Sequence, residues 1–118
     1  MGAGSGDLAA KKCTPCEGGT EPLGMEETTE FLSRVEGWKL SDTKVITKEF
    51  KFKNFKEAMG FVNRVAEAAE AEGHHPDVHI SYNRSELALS THAIGGLSEN
   101  DFILAAKIDE LNQFRQPA

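Results

Sequence analysis

Two different apolar periods follow one another directly in the middle of this 118-residue chain, and together they restrict its fold. Over residues 45–53 apolar and polar side chains alternate, which predicts a strand that buries one face only. Over residues 55–69 the apolar side chains recur three and four positions apart, which predicts an amphipathic helix. Asn54 and Glu57 form a capping-box-like start to this helix, and Gly73 suits the position just beyond its end.

The chain before this pair of elements predicts a helix and a further strand. Residues 25–35 place apolar side chains among charged neighbours at helical spacing, and a glycine two residues later suits the end of the helix. Trp38 and Leu40 then alternate with polar residues and lead into a turn over 41–44. The first half of the fold is therefore predicted to read helix, strand, strand, helix.

The chain after residue 73 predicts a hairpin and a last helix. Residues 78–83 and 86–91 alternate, and we expect them to turn at Asn83-Arg84. Ser98 is placed to cap a helix whose core stripe has three members: Leu104, Ile108 and Leu111. The element order α-β-β-α-β-β-α predicts an α+β fold, in which three helices pack on one face of a four-stranded antiparallel sheet.

The first 24 residues differ in composition from the rest. They contain six of the eleven glycines and two of the four prolines, so we expect residues 1–24 to form a flexible tail and residues 25–118 the single folded domain. Cys13 and Cys16 lie in this tail as one CxxC pair, which supplies half the ligands of a structural zinc site. A plain tail, a metal site completed from elsewhere and a redox pair are the alternatives for these cysteines.

Composition excludes several functional classes. The chain has 13 Lys and Arg against 19 Asp and Glu, a formal net charge of -6, and its basic residues form no cluster, which argues against direct nucleic-acid binding. No apolar run approaches the roughly 20 residues that a membrane span needs. The opening residues also lack the apolar stretch of a secretory signal. We therefore expect a cytoplasmic protein without membrane contact.

All four histidines fall within nineteen residues, and they are His74, His75, His79 and His92. Imidazole exchanges protons near neutral pH, so such a cluster suits acid–base chemistry. If the strands at 78–83 and 86–91 pair, His92 at the end of the second returns to the His74-His75 pair before the first. Glu70 precedes His74 by one helical turn and is expected to reach it, while Asp101 is either a helix cap or an acceptor near this loop.

Three roles are open for this cluster on spacing alone. A histidine pair in a loop is most often a surface feature, and His79 is expected to be solvated on the wet face of its strand. Histidine and aspartate are also common metal ligands, although adjacent histidines usually point apart and the chain has no HExxH pair. Catalysis by the remaining histidines is the third role.

These residues resemble a known family, the pterin-4a-carbinolamine dehydratases. The shared pattern reads Glu70-x3-His74-His75-Pro76-x5-Tyr82-x9-His92-x8-Asp101, and the similarity extends over roughly residues 25–111. The resemblance implies an enzyme, a hydro-lyase that dehydrates 4a-hydroxytetrahydropterin to quinonoid dihydropterin and so supports tetrahydropterin recycling. It implies a small-molecule pterin substrate, and neither a metal nor an organic cofactor.

The resemblance also implies roles for individual residues. His74, His75 and His92 would be catalytic, with His74 as the acid, His92 as its partner base and His75 positioning the ring. Glu70 and Asp101 would support them. The substrate-binding wall would comprise eight residues: Gly73, His74, His75, Pro76, Ser90, Thr91, His92 and Ala93.

Relatives of this kind also have non-enzymatic roles, which provide the alternative function. Some animal members are dimerisation cofactors of a homeodomain transcription factor, and some plastid relatives assist Rubisco assembly. The resemblance further implies a homo-oligomer, a dimer or tetramer built through sheet edges and helix faces. Ile103 and Phe114 lie off the core stripe of the last helix, where they would form a satellite core or a partner-binding face.

Overall fold

The computed structural model describes residues 8–13 and 21–113. Within these residues, three α-helices have eight residues or more, namely α1 (Met25–Leu32), α2 (Phe55–Glu72) and α3 (Glu99–Gln113), and a 3-10 turn covers His92–Ile94. The four strands are β1 (Lys39–Ser41), β2 (Val45–Lys51), β3 (Asp77–Ser81) and β4 (Arg84–Leu89). The predicted element order and the α+β class are confirmed. Among the residues described, no helix is both long enough and apolar enough to cross a membrane.

The strands form one antiparallel sheet in the order β1-β2-β4-β3. The long central pair of β2 and β4 aligns Ile46 with Leu89, and β3 pairs with the other edge of β4, with Asp77 opposite Ala88. Because of this register, the chain entering β3 and the chain leaving β4 meet at the same end of the sheet. The candidate site lies at this end.

Helix α2 begins and ends as its sequence predicts. The Asn54 side chain accepts a hydrogen bond from the Glu57 backbone N–H at 2.9 Å, which satisfies one of the free donors of the first turn. Gly73 adopts φ +67°, a left-handed conformation that glycine tolerates without steric cost. The His74 N–H turns back to the Ala69 carbonyl at 3.2 Å, so the chain leaves the helix in a new direction.

The core lies between one face of the sheet and the helices. Phe50 of β2 and Phe52 just beyond its end are buried, and their ring centroids lie 4.8 and 5.1 Å from that of Phe61 on α2. Phe31 of α1 stacks on Phe102 of α3 at 5.3 Å, so all three helices share this core.

The predicted core stripe of α3 is largely confirmed. Leu104 and Ile108 are fully buried and Leu111 is partly buried. Ile103 is also buried, at 3% exposed, so it belongs to the core of the single chain. Phe114 lies outside the described residues.

Lys48 lies on the apolar face of β2, where its charge needs a partner. Its ammonium contacts the Asp109 carboxylate of α3 at 2.8 Å, and the Trp38 indole N–H lies 3.2 Å from both oxygens of the same carboxylate. Burial raises the pKa of Asp109, and the hydrogen bonds from Lys48 and Trp38 act in the opposite direction. This buried pair attaches α3 to the sheet.

The turn of the second hairpin lies one residue earlier than predicted. Ser81 pairs with Arg84, so the two turn residues are Tyr82 and Asn83, and the predicted turn at Asn83-Arg84 is wrong. Asn83 is held to β2 because its side-chain amide donates to the Phe52 carbonyl at 3.0 Å and its own carbonyl accepts from the Phe52 N–H at 2.8 Å. These contacts fix the turn, and Tyr82 takes φ +52° with 65% of its surface exposed.

Residues 8–13 pack on the domain, which differs from the expected flexible tail. Leu8 is 1% exposed and belongs to the core, with Ala9 beside it. The Lys107 ammonium on α3 donates to the Ala9 carbonyl at 2.6 Å. The glycine-rich composition of the first 24 residues conceals this isolated apolar contact. Cys16 lies outside the described residues. The boundary between tail and domain at residue 24 stays a prediction.

Candidate active site

A cavity of about 450 Å³ opens at the end of the sheet where β3 begins and β4 ends. Its lining residues are Cys13, Glu72, Gly73, His74, His75, Ser90, Thr91, His92, Ala93 and Asn100. Seven of the eight residues predicted for the substrate-binding wall are in this set. Pro76 is the exception, because it faces a separate apolar depression beside α2 together with Val62 and Val65.

His74 and Asp101 form the most constrained contact of the cavity. His74 Nε2 lies 2.6 Å from Asp101 Oδ1, and Asp101 is fully buried while the His74 side chain is 11% exposed. The other carboxylate oxygen, Oδ2, accepts from the Thr91 hydroxyl at 2.8 Å and from the Ser98 N–H at 3.0 Å. Because Thr91 gives its single proton to Asp101, the Ser98 hydroxyl 2.8 Å away must donate to Thr91.

This network determines which nitrogen of His74 is free to exchange a proton. A carboxylate only accepts hydrogen bonds, so His74 donates from Nε2 to Asp101. The remaining nitrogen, Nδ1, is then the atom at which the ring gains or loses a proton. A buried carboxylate behind a histidine fixes both the orientation of the ring and its tautomer.

Glu70 contacts the second histidine rather than the first. The prediction that Glu70 reaches His74 is wrong, since Glu70 Oε1 lies 3.0 Å from His75 Nε2. The left-handed Gly73 ends the helical repeat, so His74 turns inward to Asp101 and His75 stays on the side of Glu70. The Glu70 and His75 side chains are 77% and 60% exposed, so their interaction is weak.

His92 lies on the rim of the cavity in the 3-10 turn that follows β4. The turn is closed by a backbone bridge between Thr91 and Gly96, with the Thr91 N–H 2.8 Å from the Gly96 carbonyl. The fold therefore brings His74, His75 and His92 to one cavity. His79 is exposed on β3 opposite Glu86, where the alternation predicts it to be solvated.

Three lining residues were not predicted for the site, namely Cys13, Glu72 and Asn100. The Glu72 carboxylate accepts a hydrogen bond from the Cys13 N–H at 2.8 Å, and this bond lowers the pKa of Glu72. Burial raises the pKa of the Cys13 thiol to about 12, and the nearby Glu72 carboxylate adds to the rise. In the sequence Glu72 stands directly before Gly73 and His74, and this position is the signal that could have identified Glu72 as a site residue.

The chemistry of Cys13 bears on the metal and redox alternatives. Disulfide exchange uses the thiolate, whereas a thiol with a pKa of about 12 keeps its proton at neutral pH. Within residues 8–13 and 21–113, no three His, Cys, Asp or Glu side chains are arranged to hold a metal ion.

Comparison with known proteins identifies the family of this chain. Residues 21–111 match the family model described as pterin 4 alpha carbinolamine dehydratase. A protein of Nitrosospira multiformis, named as a candidate pterin-4-alpha-carbinolamine dehydratase, is 53% identical over 91% of this chain and 94% of its own length. A protein of the same name from Halorhodospira halophila is 50% identical over 88% of this chain and 96% of its own.

Two solved structures share the fold. A Brucella melitensis protein, titled a transcriptional coactivator/pterin dehydratase, matches with a TM-score of 0.74 and 37% identity over 77% of this chain and 98% of its own. A pterin dehydratase-like protein, titled a RuBisCO assembly factor in the alpha-carboxysome, matches with a TM-score of 0.56 over 64% of this chain and 89% of its own. Its identity is 20%, so it shows the shared fold alone. The predicted enzyme class, a hydro-lyase, is confirmed by the family match and the names of the relatives. The chain belongs to the pterin-4-alpha-carbinolamine dehydratase family.

Proposed function

We propose that this protein removes water from 4a-hydroxytetrahydropterin by histidine acid–base catalysis and so supports tetrahydropterin recycling. The observation that carries the proposal is the meeting of His74, His75 and His92 on one cavity, with His74 held by the buried Asp101. A cavity of about 450 Å³ is in the size range of small-molecule sites.

The reaction needs two proton transfers and no external electron donor or acceptor. The C4a–O bond breaks as the hydroxyl oxygen takes a proton and leaves as water. The N5–H bond breaks as its proton is removed, and its electron pair forms the C4a=N5 double bond of quinonoid dihydropterin. Hydroxide is a poor leaving group, so a general acid at the oxygen and a base at N5 are the groups that accelerate this step.

The environments of the histidines support different roles. Asp101 holds His74 through Nε2 and leaves Nδ1 to carry the exchanged proton, which suits a proton donor at the 4a oxygen. His92 on the rim is the proposed base for the N5 proton. His75, whose ring is paired with Glu70 at the surface, is proposed to position the pterin ring.

The proposal is tested by steady-state turnover of freshly generated 4a-hydroxytetrahydropterin. We expect the wild-type protein to turn over this substrate, and His74→Ala and His92→Ala each to lose about 10²-fold or more in rate. His79→Ala is the matched control, because His79 lies outside the cavity, and it should retain wild-type turnover. Turnover near the wild-type rate in either of the first two variants contradicts the catalytic assignment.

The alternative is a non-enzymatic role as a partner-binding or assembly protein. One feature favours it: β3 is an edge strand, Val78 on it is 43% exposed, and Tyr82 in the turn after it is 65% exposed. The same edge supports the proposal of a homo-oligomer, since edge strands pair readily between chains. Light scattering measures the assembly, and a strict monomer contradicts the oligomer. The cytoplasmic location stays a prediction.

A further inference from the structure

The N-terminal segment of residues 8–13, the strap, precedes the predicted domain of residues 25–118 and reaches the candidate active site. We propose that the strap forms one wall of the pterin cavity, and that Glu72 and Lys107 are positioning residues that hold this wall in place. The inference rests on the proposed function, because it concerns how the same cavity binds its ligand.

The beginning of the strap is anchored away from the cavity. Leu8 is 1% exposed and packs in the core, and the Lys107 ammonium holds the Ala9 carbonyl at 2.6 Å. Lys11 forms an ion pair with Glu99 at the surface, which contributes little. Leu8 and Lys107 do not line the cavity. Leu8 acts on it through the strap, and Lys107 acts on it through the strap and through Glu72.

The end of the strap is clamped beside the histidines. The Glu72 carboxylate accepts the Cys13 N–H at 2.8 Å and lies 3.7 Å from the Lys107 ammonium, so Lys107 supports both the carboxylate and the strap. The Cys13 sulfur lies 3.7 Å from the Asn100 carbonyl. Cys13 is thereby fixed between the last turn of α2, which leads to His74, and the first turn of α3, which carries Asp101.

This position gives the strap a role in binding rather than in proton transfer. Cys13, Glu72 and Asn100 line the cavity together with the histidines. The Cys13 thiol is uncharged at neutral pH, so it offers the bicyclic ring a compact neutral surface. Small-molecule sites bury most of their ligand, and removal of one wall exposes ligand surface to water. A displaced strap should therefore raise KM and leave kcat nearly unchanged.

The test uses the full chain with Lys107→Met and Leu8→Ala, and 7,8-dihydrobiopterin as a stable probe of the product. We expect the Kd of the probe and the KM of the substrate to rise about tenfold, with kcat within twofold of wild type. Lys56→Met is the matched control, since Lys56 is exposed in the first turn of α2 and lies outside both the strap and the cavity lining, and it should keep Kd and KM. If Lys107→Met and Leu8→Ala both keep Kd and KM within twofold of wild type, the proposal is overturned.

A second measurement does not depend on any variant. Trypsin cuts after Lys11 and Lys12, so saturating 7,8-dihydrobiopterin should slow cleavage of the wild-type strap at least fivefold if the ligand contacts it. Cleavage at an unchanged rate overturns the strap proposal. A wild-type protein that shows neither turnover nor dihydropterin binding overturns the proposed function and the strap proposal together, whereas unchanged anchor variants of an active enzyme overturn the strap proposal alone.

Discussion

Asp101 Oδ1 and His74 Nε2 lie 2.6 Å apart although the two residues are separated by 27 positions in the chain. The contact needs two local structures at once. Left-handed Gly73 turns His74 away from the axis of α2, and the Thr91–Gly96 bridge brings Thr91 and Ser98 to the other carboxylate oxygen. Asp101, fully buried and hydrogen-bonded through both oxygens, is thus a rigid support for the ring that we propose to be the acid.

Asp101→Asn should therefore reduce kcat/KM about 10²-fold or more. The amide has nearly the same shape, but it presents an N–H toward His74, which favours the wrong tautomer. Steady-state kinetics with 4a-hydroxytetrahydropterin measures the loss. Asp42→Asn, at an exposed turn, is the matched control and should be silent. A kcat/KM of Asp101→Asn within twofold of wild type refutes the supporting role.

Glu70→Gln should change kcat/KM by less than about threefold. The Glu70–His75 contact is exposed, where ion pairs contribute about 0–1 kcal/mol. The same kinetic assay, run beside Asp101→Asn, compares the two carboxylates directly. A loss as large as that of Asp101→Asn means that Glu70 orients a catalytic group in spite of its exposure.

Cys13 should resist alkylation in the folded protein. Its pKa of about 12 leaves very little thiolate at pH 8, whereas an unfolded cysteine titrates near 8.5. In a Cys16→Ser background, iodoacetamide labelling followed by mass spectrometry should be about 10²-fold slower in native protein than in urea. Equal rates contradict the buried thiol.

The same pKa shift predicts how stability depends on pH. Because the folded pKa of Cys13 lies above the unfolded one, its contribution to stability is present below the unfolded pKa and is lost as pH rises toward about 12. Urea unfolding between pH 8 and 11 should therefore show a loss of stability in this range. Cys13→Ser should reduce that loss, and an identical pH profile in both proteins counts against the shift.

Asp109→Asn should lower the free energy of unfolding by about 1–3 kcal/mol, because Lys48 then keeps a largely buried charge without its carboxylate. Lys48→Met in the same background should recover much of this loss, since it removes the unpaired charge. Urea unfolding of the two single variants and the double variant measures the coupling. Additive effects of the two substitutions contradict a direct interaction.

Local patterns in the sequence account for most of the secondary structure. The alternation in β2, the helical spacing of α2 and the caps at Asn54 and Gly73 depend on residues within a few positions of each other, so the chain alone predicts them. The turn at Tyr82-Asn83 is the exception. It is decided by the two hydrogen bonds between Asn83 and Phe52, which lie 31 positions apart, and no local turn signal contains this contact.

The sequence by itself determined the set of candidate site residues, because the family pattern from Glu70 to Asp101 consists of residue types and their spacing. The tertiary structure decided how they pair. In the folded chain Asp101 contacts His74 and Glu70 contacts His75, and Cys13 and Glu72 line the cavity. The physical reason is that a spacing rule holds only while the chain keeps one conformation. The left-handed conformation of Gly73 changes the direction of the chain. The contacts of His74 and His75 then depend on which distant elements pack against them.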